Sequence, residues 1–122
     1  MEESENKKVI RKIRYSDDFE QFFKSLDMKV RVKFTWTFNI IRTVYTINTE
    51  YVKKLVNSDS NLYEMRVSVG YNKYRTILFS INHPNIIEAT EIILLNGFLK
   101  KSNKDYGKQI KKAEKIIKNL NL

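Results

Sequence analysis

The chain has 122 residues, of which 42% are hydrophobic and 30% charged, a balance typical of one globular domain spanning residues 1–122. With no cysteine and one histidine, a disulfide framework, a thiolate metal site and a cysteine nucleophile are excluded, and no metal or other cofactor is expected. The formal net charge is +9, and eight lysines against Asp105 and Glu114 place +6 between Leu99 and the C-terminus. This basicity predicts a polyanionic partner, although a solvated lysine-rich helix that binds nothing remains an alternative.

No membrane segment is expected. The longest apolar run, Ile92 to Leu95, is far shorter than the roughly 18 residues that span a bilayer. The N-terminal MEESENKK has no apolar signal-peptide core, so we expect a cytoplasmic protein. Residues 1–6 are predicted to form a disordered tail.

The first third of the chain predicts a strand followed by a short helix. Residues Lys8 to Tyr15 alternate roughly in polarity, which favours a strand. Ser16 is a helix N-cap signal, and Asp17 and Asp18 place acids in the first turn. Apolar residues then recur at helical spacing, namely Phe19, Phe22, Phe23 and Leu26.

The next segment is ambiguous from its pattern alone. Val30 to Ile40 alternates strictly between apolar and polar residues, which favours a strand, with Trp36 interpreted as core. The same stretch also offers apolar residues at helical spacing, and Met28 to Ile47 is too long for an ordinary strand. Glu50 to Val56 is interpreted as one or two further helical turns.

The second half predicts a meander and a final helix. A loop at residues 57–61 precedes three strand-like runs, Leu62–Val69, Asn72–Ile81 and Ile86–Leu95, which are separated by hairpin-length turns. Asp105 to Leu120 has the periodicity of an amphipathic helix. The predicted class is α+β, ordered strand, helix, helix, three-stranded antiparallel meander, helix. Helices on one face would leave the other face more open for RNA.

Three blocks of residues resemble one toxin family. They are Leu62-Tyr63-Glu64-Met65-Arg66-Val67, then Tyr74-Arg75, then Leu94-Leu95-Asn96-Gly97-Phe98-Leu99-Lys100-Lys101. Together they resemble the blocks of HigB-like, phage-derived members of the RelE superfamily, from about residue 50 to the end. The resemblance implies a RelE-like fold with two central helices, so we predict helix for Met28–Ile47. Where many relatives have a Thr-Pro turn before the last helix, this chain has Asn103 to Gly107.

The resemblance implies the toxin of a type II toxin–antitoxin system. Such toxins are translation-dependent mRNA endoribonucleases, and they cleave without a metal through attack of a ribose 2′-OH on its own phosphate. The implied partners are a helix-turn-helix antitoxin, mRNA in the ribosomal A site and ribosomal RNA.

Four residues are the catalytic candidates. Arg75 is the best candidate for holding the scissile phosphate, because a guanidinium fork matches two phosphate oxygens, and its alternative is a strand-end arginine paired with an acid. Arg66 lies with Glu64 on one side of its strand, where it either steadies the phosphate or forms a weak surface ion pair. Lys100 follows a predicted Gly-Phe turn and is expected to contact phosphate. Tyr106 falls where some RelE-type members have a tyrosine that contributes to cleavage, and its alternative is an ordinary core or surface tyrosine.

Three further lysines are candidates for binding RNA: Lys73, Lys101 and Lys104. Lys101, like Lys100, also has the ordinary interpretation of a solvated lysine. Three other functions remain open. A ParE-like toxin would inhibit DNA gyrase on the same fold, a non-enzymatic module would bind RNA through Tyr63, Tyr71 and Tyr74, and a degenerate toxin would bind only its antitoxin.

Overall fold

The computed structural model describes residues 8–56 and 61–122, so the predicted tail at residues 1–6 and most of the predicted loop at 57–61 lie outside the described residues. Five strands form one sheet in the order β1-β5-β4-β3-β2, with β1 parallel to β5 and the other pairs antiparallel. The predicted α+β class is confirmed, with one strand more than predicted. The elements are β1 (Lys12–Tyr15), α1 (Asp17–Ser25), α2 (Met28–Thr43), β2 (Val52–Lys54), β3 (Leu62–Val69), β4 (Asn72–Ser80), β5 (Glu91–Leu99) and α3 (Lys104–Leu120).

Ser16 joins β1 to α1, as its N-cap signal predicted. Its Oγ accepts a hydrogen bond from the Phe19 amide and donates one to the carbonyl of Leu95 on β5. One hydroxyl therefore satisfies an N-terminal amide of the helix and fixes the helix start against the sheet.

Helix α2 confirms the helical prediction over most of its length. Its buried residues, Val30, Phe34, Thr37 and Ile41, follow a period of three to four residues, and the helix ends at Thr43 rather than Ile47. The apparent alternation is therefore a coincidence of composition. The prediction that Trp36 is core is wrong, because half of its surface is exposed (50%).

Strand β2 corrects the helical prediction for Glu50–Val56. Val52 pairs with Met65 and Lys54 with Tyr63, and Val52 is buried. This pairing is long-range, so the local pattern carried no signal for it.

The last strand is displaced from its prediction, since β5 runs from Glu91 to Leu99 and not from Ile86 to Leu95. Gly97 lies inside the strand, opposite Thr76, and not in the predicted Gly-Phe turn. A Cβ at Gly97 would lie 2.3 Å from the Phe22 ring, so the glycine gives α1 its close approach to the sheet.

Buried Arg11 holds the segment before β5 to the end of α2. Its guanidinium donates five hydrogen bonds to backbone carbonyls and is almost fully buried. The acceptors are in Ile41, Val44, Tyr45, Ile86 and Ile87. Ile86 is buried in the segment between β4 and β5. This burial explains why the apolar residues there resembled the start of a strand.

Helices cover both faces of the sheet, contrary to the expectation of an open face. α1 and α2 pack on one face around Phe19 and Phe34, whereas α3 packs Ala113 against Ile77 and Leu95 on the other. α3 contacts β4 and β5, so the second face is less covered toward β3. None of the helices formed by residues 8–56 and 61–122 is long and apolar enough to cross a membrane.

Candidate active site

A row of cross-strand partners brings two arginines together on the face that α3 covers. Arg66 on β3 is paired with Arg75 on β4, and Arg75 is paired with Phe98 on β5. Partners in adjacent strands direct their side chains to the same face, as does Glu64, two residues before Arg66. A β-bulge at Leu95 shifts the register between Ile77 and Leu78, which sets Phe98 beside Arg75.

The Glu64 carboxylate lies between the two arginines. Its Oε2 is 3.4 Å from Nε of Arg66, and its Oε1 is 3.9 Å from Nε of Arg75. The Glu64–Arg66 ion pair that the sequence offered as an alternative is therefore present, but Glu64 is only 5% exposed, so the pair is partly buried and not at the surface. The buried carboxylate offsets the repulsion of two neighbouring guanidinium groups.

Arg75 lies beneath this cluster and is only 3% exposed. Its Nε donates to the Tyr106 hydroxyl at 3.0 Å, and its Nη1 donates to the carbonyl of Tyr74 at 3.1 Å. In this conformation Tyr106 and Glu64 therefore lie where a phosphate would have to approach the guanidinium. Arg66, whose side chain is 32% exposed, is the more accessible arginine.

Tyr106, in the first turn of α3, closes the cluster. Its ring packs edge-on against Phe98 with centroids 5.7 Å apart, and Lys100 Nζ lies 5.6 Å from the centroid of the tyrosine ring. Burial raises the pKa of the Tyr106 phenol, as does the neighbouring Glu64 carboxylate, while Arg75 opposes the shift. The phenol is thus protonated at neutral pH and available as a proton donor.

Backbone contacts fix the segment that carries Lys100. The Lys100 amide donates to the Lys73 carbonyl at 2.8 Å, which extends the β4–β5 ladder past Leu99. The Asp105 carboxylate accepts hydrogen bonds from the Lys101 and Ser102 amides at 2.8 and 3.0 Å. These two bonds lower the pKa of Asp105. Asp105 thereby orders the turn in which many relatives have Thr-Pro.

The structure brings together four of the residues selected from the sequence, Arg66, Arg75, Lys100 and Tyr106. Lys73, Lys101 and Lys104 are exposed near the same end of the sheet. Sequence reasoning missed Glu64 as a member of the site. The strand alternation placed it beside Arg66, but its burial beside Arg75 and Tyr106 depends on tertiary packing.

Comparisons with known proteins agree with this architecture. No curated protein matches the sequence. The solved structure of an arginine-to-alanine double mutant of E. coli toxin RelE in the free state aligns with a TM-score of 0.58 and 13% identity, covering 84% of this chain and 96% of RelE. The intact E. coli RelBE toxin–antitoxin complex contains a chain that aligns with a TM-score of 0.51 and 10% identity, covering 74% of this chain and 96% of that chain.

At such identities these structures show the fold alone. Residues 21–118 match the family described as phage derived protein Gp49-like. The chain therefore belongs to the Gp49-like family of phage-derived proteins, and its fold is the RelE fold.

Proposed function

We propose that this protein is the toxin of a type II toxin–antitoxin system, of the HigB-like branch, and that it cleaves mRNA during translation. The observation that carries the proposal is the convergence of Arg66, Arg75, Lys100 and Tyr106 at one end of a RelE-fold sheet. With Glu64 included, the cluster carries a net charge of about +2 at neutral pH, a suitable environment for a phosphate diester.

The proposed reaction is an internal transesterification of the RNA backbone. The ribose 2′-oxygen gives up its proton to water and forms a bond to the adjacent phosphorus. The bond from phosphorus to the 5′-oxygen breaks, and that oxygen takes up a proton from the Tyr106 phenol, which solvent then reprotonates. The products are a 2′,3′-cyclic phosphate and a free 5′-hydroxyl. Catalysis then requires stabilisation of the phosphorane charge and protonation of the leaving oxygen.

Each residue of the cluster fits one part of this chemistry. Arg66 and Lys100 are the partly exposed cations of the cluster, so we assign them the contact with the scissile phosphate. Tyr106, kept protonated by its surroundings, donates to the leaving 5′-oxygen. Arg75 donates a hydrogen bond to the phenol oxygen and contributes positive charge from its buried position. It contacts the phosphate directly only if the Tyr106 side chain moves away from it.

The exposed lysines Lys73, Lys101 and Lys104 are assigned to the RNA backbone on either side of the cleaved bond. Their ammonium groups act there as point charges, so binding weakens as salt rises. A ribosomal A site lined by RNA phosphates fits the same basic surface.

We further propose a helix-turn-helix antitoxin as the partner in the cytoplasm. The RelE-fold chain of the RelBE complex is bound to its antitoxin, which supports a partner of this kind. Charge steering predicts an acidic or mixed-charge antitoxin whose association slows with salt. Co-expression of the adjacent reading frame is expected to restore growth and to give a stable complex.

Mapping of mRNA 5′ ends in translating cells tests the nuclease proposal. Expression of the wild type is expected to arrest growth and create new 5′ ends within reading frames. Lys100→Ala is expected to remove most of this cleavage, whereas the matched control Lys118→Ala, which removes a lysine at the far end of α3, keeps it. Inhibition of DNA gyrase without mRNA cleavage would support the ParE-like alternative. Binding of RNA without cleavage would support the non-enzymatic module, and binding of the antitoxin alone a degenerate toxin.

A further inference from the structure

A second feature lies beside the cluster, at the edge of the sheet where β2 ends. Pairing between β2 and β3 reaches Met65, and the next β3 residue, Arg66, donates its amide to the Tyr51 carbonyl at 2.8 Å. Beyond this point β3 runs on without β2. A cavity of about 240 Å³ opens there between β3, the start of β2 and helix α2. Arg66 lines it, so the cavity shares a residue with the proposed active site.

Two aromatic side chains form one side of this cavity. Trp36 is half exposed, and its ring meets that of Tyr51 edge-on, with centroids 5.8 Å apart and planes at 68°. The edge-on contact fixes the orientation of the indole. A half-exposed tryptophan held in this way offers part of a flat apolar surface to the cavity.

The charges around the aromatic pair are mostly positive. Lys33 Nζ lies 6.0 Å from the centroid of the Trp36 ring, and Arg66 is also among the residues that line the cavity. Glu50 is the one carboxylate among the residues that line the described cavity. An aromatic surface flanked by cations is the arrangement that binds a base together with its backbone phosphates.

We infer that this cavity binds one unpaired nucleobase of single-stranded RNA, stacked on Trp36, next to the phosphate at Arg66. The inference rests on the proposed function, because the base would belong to a nucleotide neighbouring the cleaved bond. Lys33 would contact its phosphate, and the Glu50 carboxylate would accept a hydrogen bond from an exocyclic amino group. This contact favours bases that carry an amino group over uracil.

An acidic peptide is the less favoured occupant. Lys33 and Arg66 would attract either partner, but a peptide carboxylate would meet Glu50 at the same position. The exposed indole face also matches the planar surface of a base. Protein docking is therefore treated as an outcome of the test.

The sole tryptophan of the chain makes the inference directly measurable. Trp36 fluorescence is followed while the full chain is titrated with a short 2′-O-methyl single-stranded RNA, which binds but offers no 2′-hydroxyl for cleavage. We expect saturable quenching, and less of it with a uridine-only oligonucleotide than with an adenosine- or cytidine-containing one. An acidic peptide of equal charge is expected to leave the fluorescence unchanged.

Affinities of variants are measured by anisotropy of a labelled oligonucleotide. Trp36→Ala is expected to bind about fivefold to a hundredfold more weakly, the range for loss of one stacked base. Trp36→Phe is expected to recover part of the affinity. Met28→Ala, which removes another exposed apolar side chain from α2, is the control and binds as the wild type does. Thermal melting verifies that each variant is folded.

The outcomes separate this inference from the nuclease proposal. Unchanged Trp36 fluorescence at saturating RNA, together with wild-type affinity of Trp36→Ala, would overturn the base site even if the protein cleaves mRNA. Quenching by the acidic peptide and not by RNA would overturn it in favour of a protein partner. Quenching by RNA in a protein that never cleaves mRNA would support the base site and contradict the nuclease.

Discussion

Replacement of Tyr106 by phenylalanine isolates one oxygen atom of the proposed active site. The phenyl ring retains its packing against Phe98 and its position below Lys100, so the first turn of α3 is preserved. The change removes the acceptor of the Arg75 hydrogen bond, a loss of about 1–3 kcal/mol of stability for a bond with a charged donor. The folded state is therefore expected to persist.

The expected effect on cleavage is larger than the effect on stability. Without the phenol, the leaving 5′-oxygen lacks its proton donor, and general acid catalysis is typically worth about 10²- to 10⁴-fold in rate. This corresponds to about 3–5 kcal/mol in the activation barrier. Cleavage of a defined mRNA in a reconstituted translation reaction gives the rate, and thermal melting of the same preparation gives the stability.

The protonation of the Tyr106 phenol also predicts how stability and cleavage depend on pH. The pKa of Tyr106 is raised, so the phenol remains protonated up to and beyond the ordinary tyrosine value of about 10. Its contribution to stability is fully present below that value and is lost as pH rises through the higher folded-state pKa. Tyr106→Phe should thus reduce activity across the neutral range. Cleavage by a stable Tyr106→Phe within about threefold of the wild type would refute the reasoning.

Three other substitutions test the surrounding architecture. Arg75→Ala is expected to abolish cleavage and also to lower stability by about 2–4 kcal/mol, because the buried carboxylate on β3 keeps only one cationic partner; an equally stable variant in urea denaturation would contradict this. Gly97→Ala should destabilise by about 1–3 kcal/mol, since its Cβ would meet the Phe22 ring at 2.3 Å, and the further change Phe22→Leu should recover part of the loss in melting temperature. Arg11→Lys should lower the free energy of unfolding by at least about 3 kcal/mol, because an ammonium group with three donors cannot satisfy five carbonyls. An unchanged midpoint in chemical denaturation would show that water replaces the lost donors.

The elements that the sequence predicted well are those with local signals. Ser16 is a cap whose side chain makes the bond that its residue type favours, and α1 follows from it. The strand-like runs that were predicted for β3 and β4 match the observed strands to within one residue, and α3 is the amphipathic helix that its periodicity predicted. For α2 the local pattern was indecisive, and the family resemblance supplied the correct prediction.

The errors arose where tertiary contacts overrode local pattern. β2 is three residues long and exists through its pairing with β3, which no local rule identifies. Gly97 resembled a turn residue, yet it lies in a strand, where the Phe22 ring occupies the space that a side chain would need. Ile86 is buried outside any strand because Arg11 ties its backbone down.

The sequence predicted which residues form the candidate site better than it predicted how deeply each of them is buried. Strand register follows from hairpin spacing, so Arg66, Arg75 and Lys100 were expected at one end of the sheet. Burial depends on where α3 crosses that end, and this places Arg75 beneath Tyr106 and makes Glu64 part of the site. Trp36 was misjudged because its exposure depends on tertiary packing and not on its aliphatic neighbours in sequence.

The central claim is that the protein cleaves translated mRNA by 2′-hydroxyl attack, and the chemistry of the new RNA ends tests it most directly. Purified protein is added to a reconstituted translation reaction, and the termini of the cleaved mRNA are identified by their susceptibility to phosphatase, polynucleotide kinase and ligase. The account predicts 2′,3′-cyclic phosphates and free 5′-hydroxyls that arise with the wild type and are nearly absent with Tyr106→Phe. Intact mRNA, or fragments that bear 5′-phosphates, would contradict it.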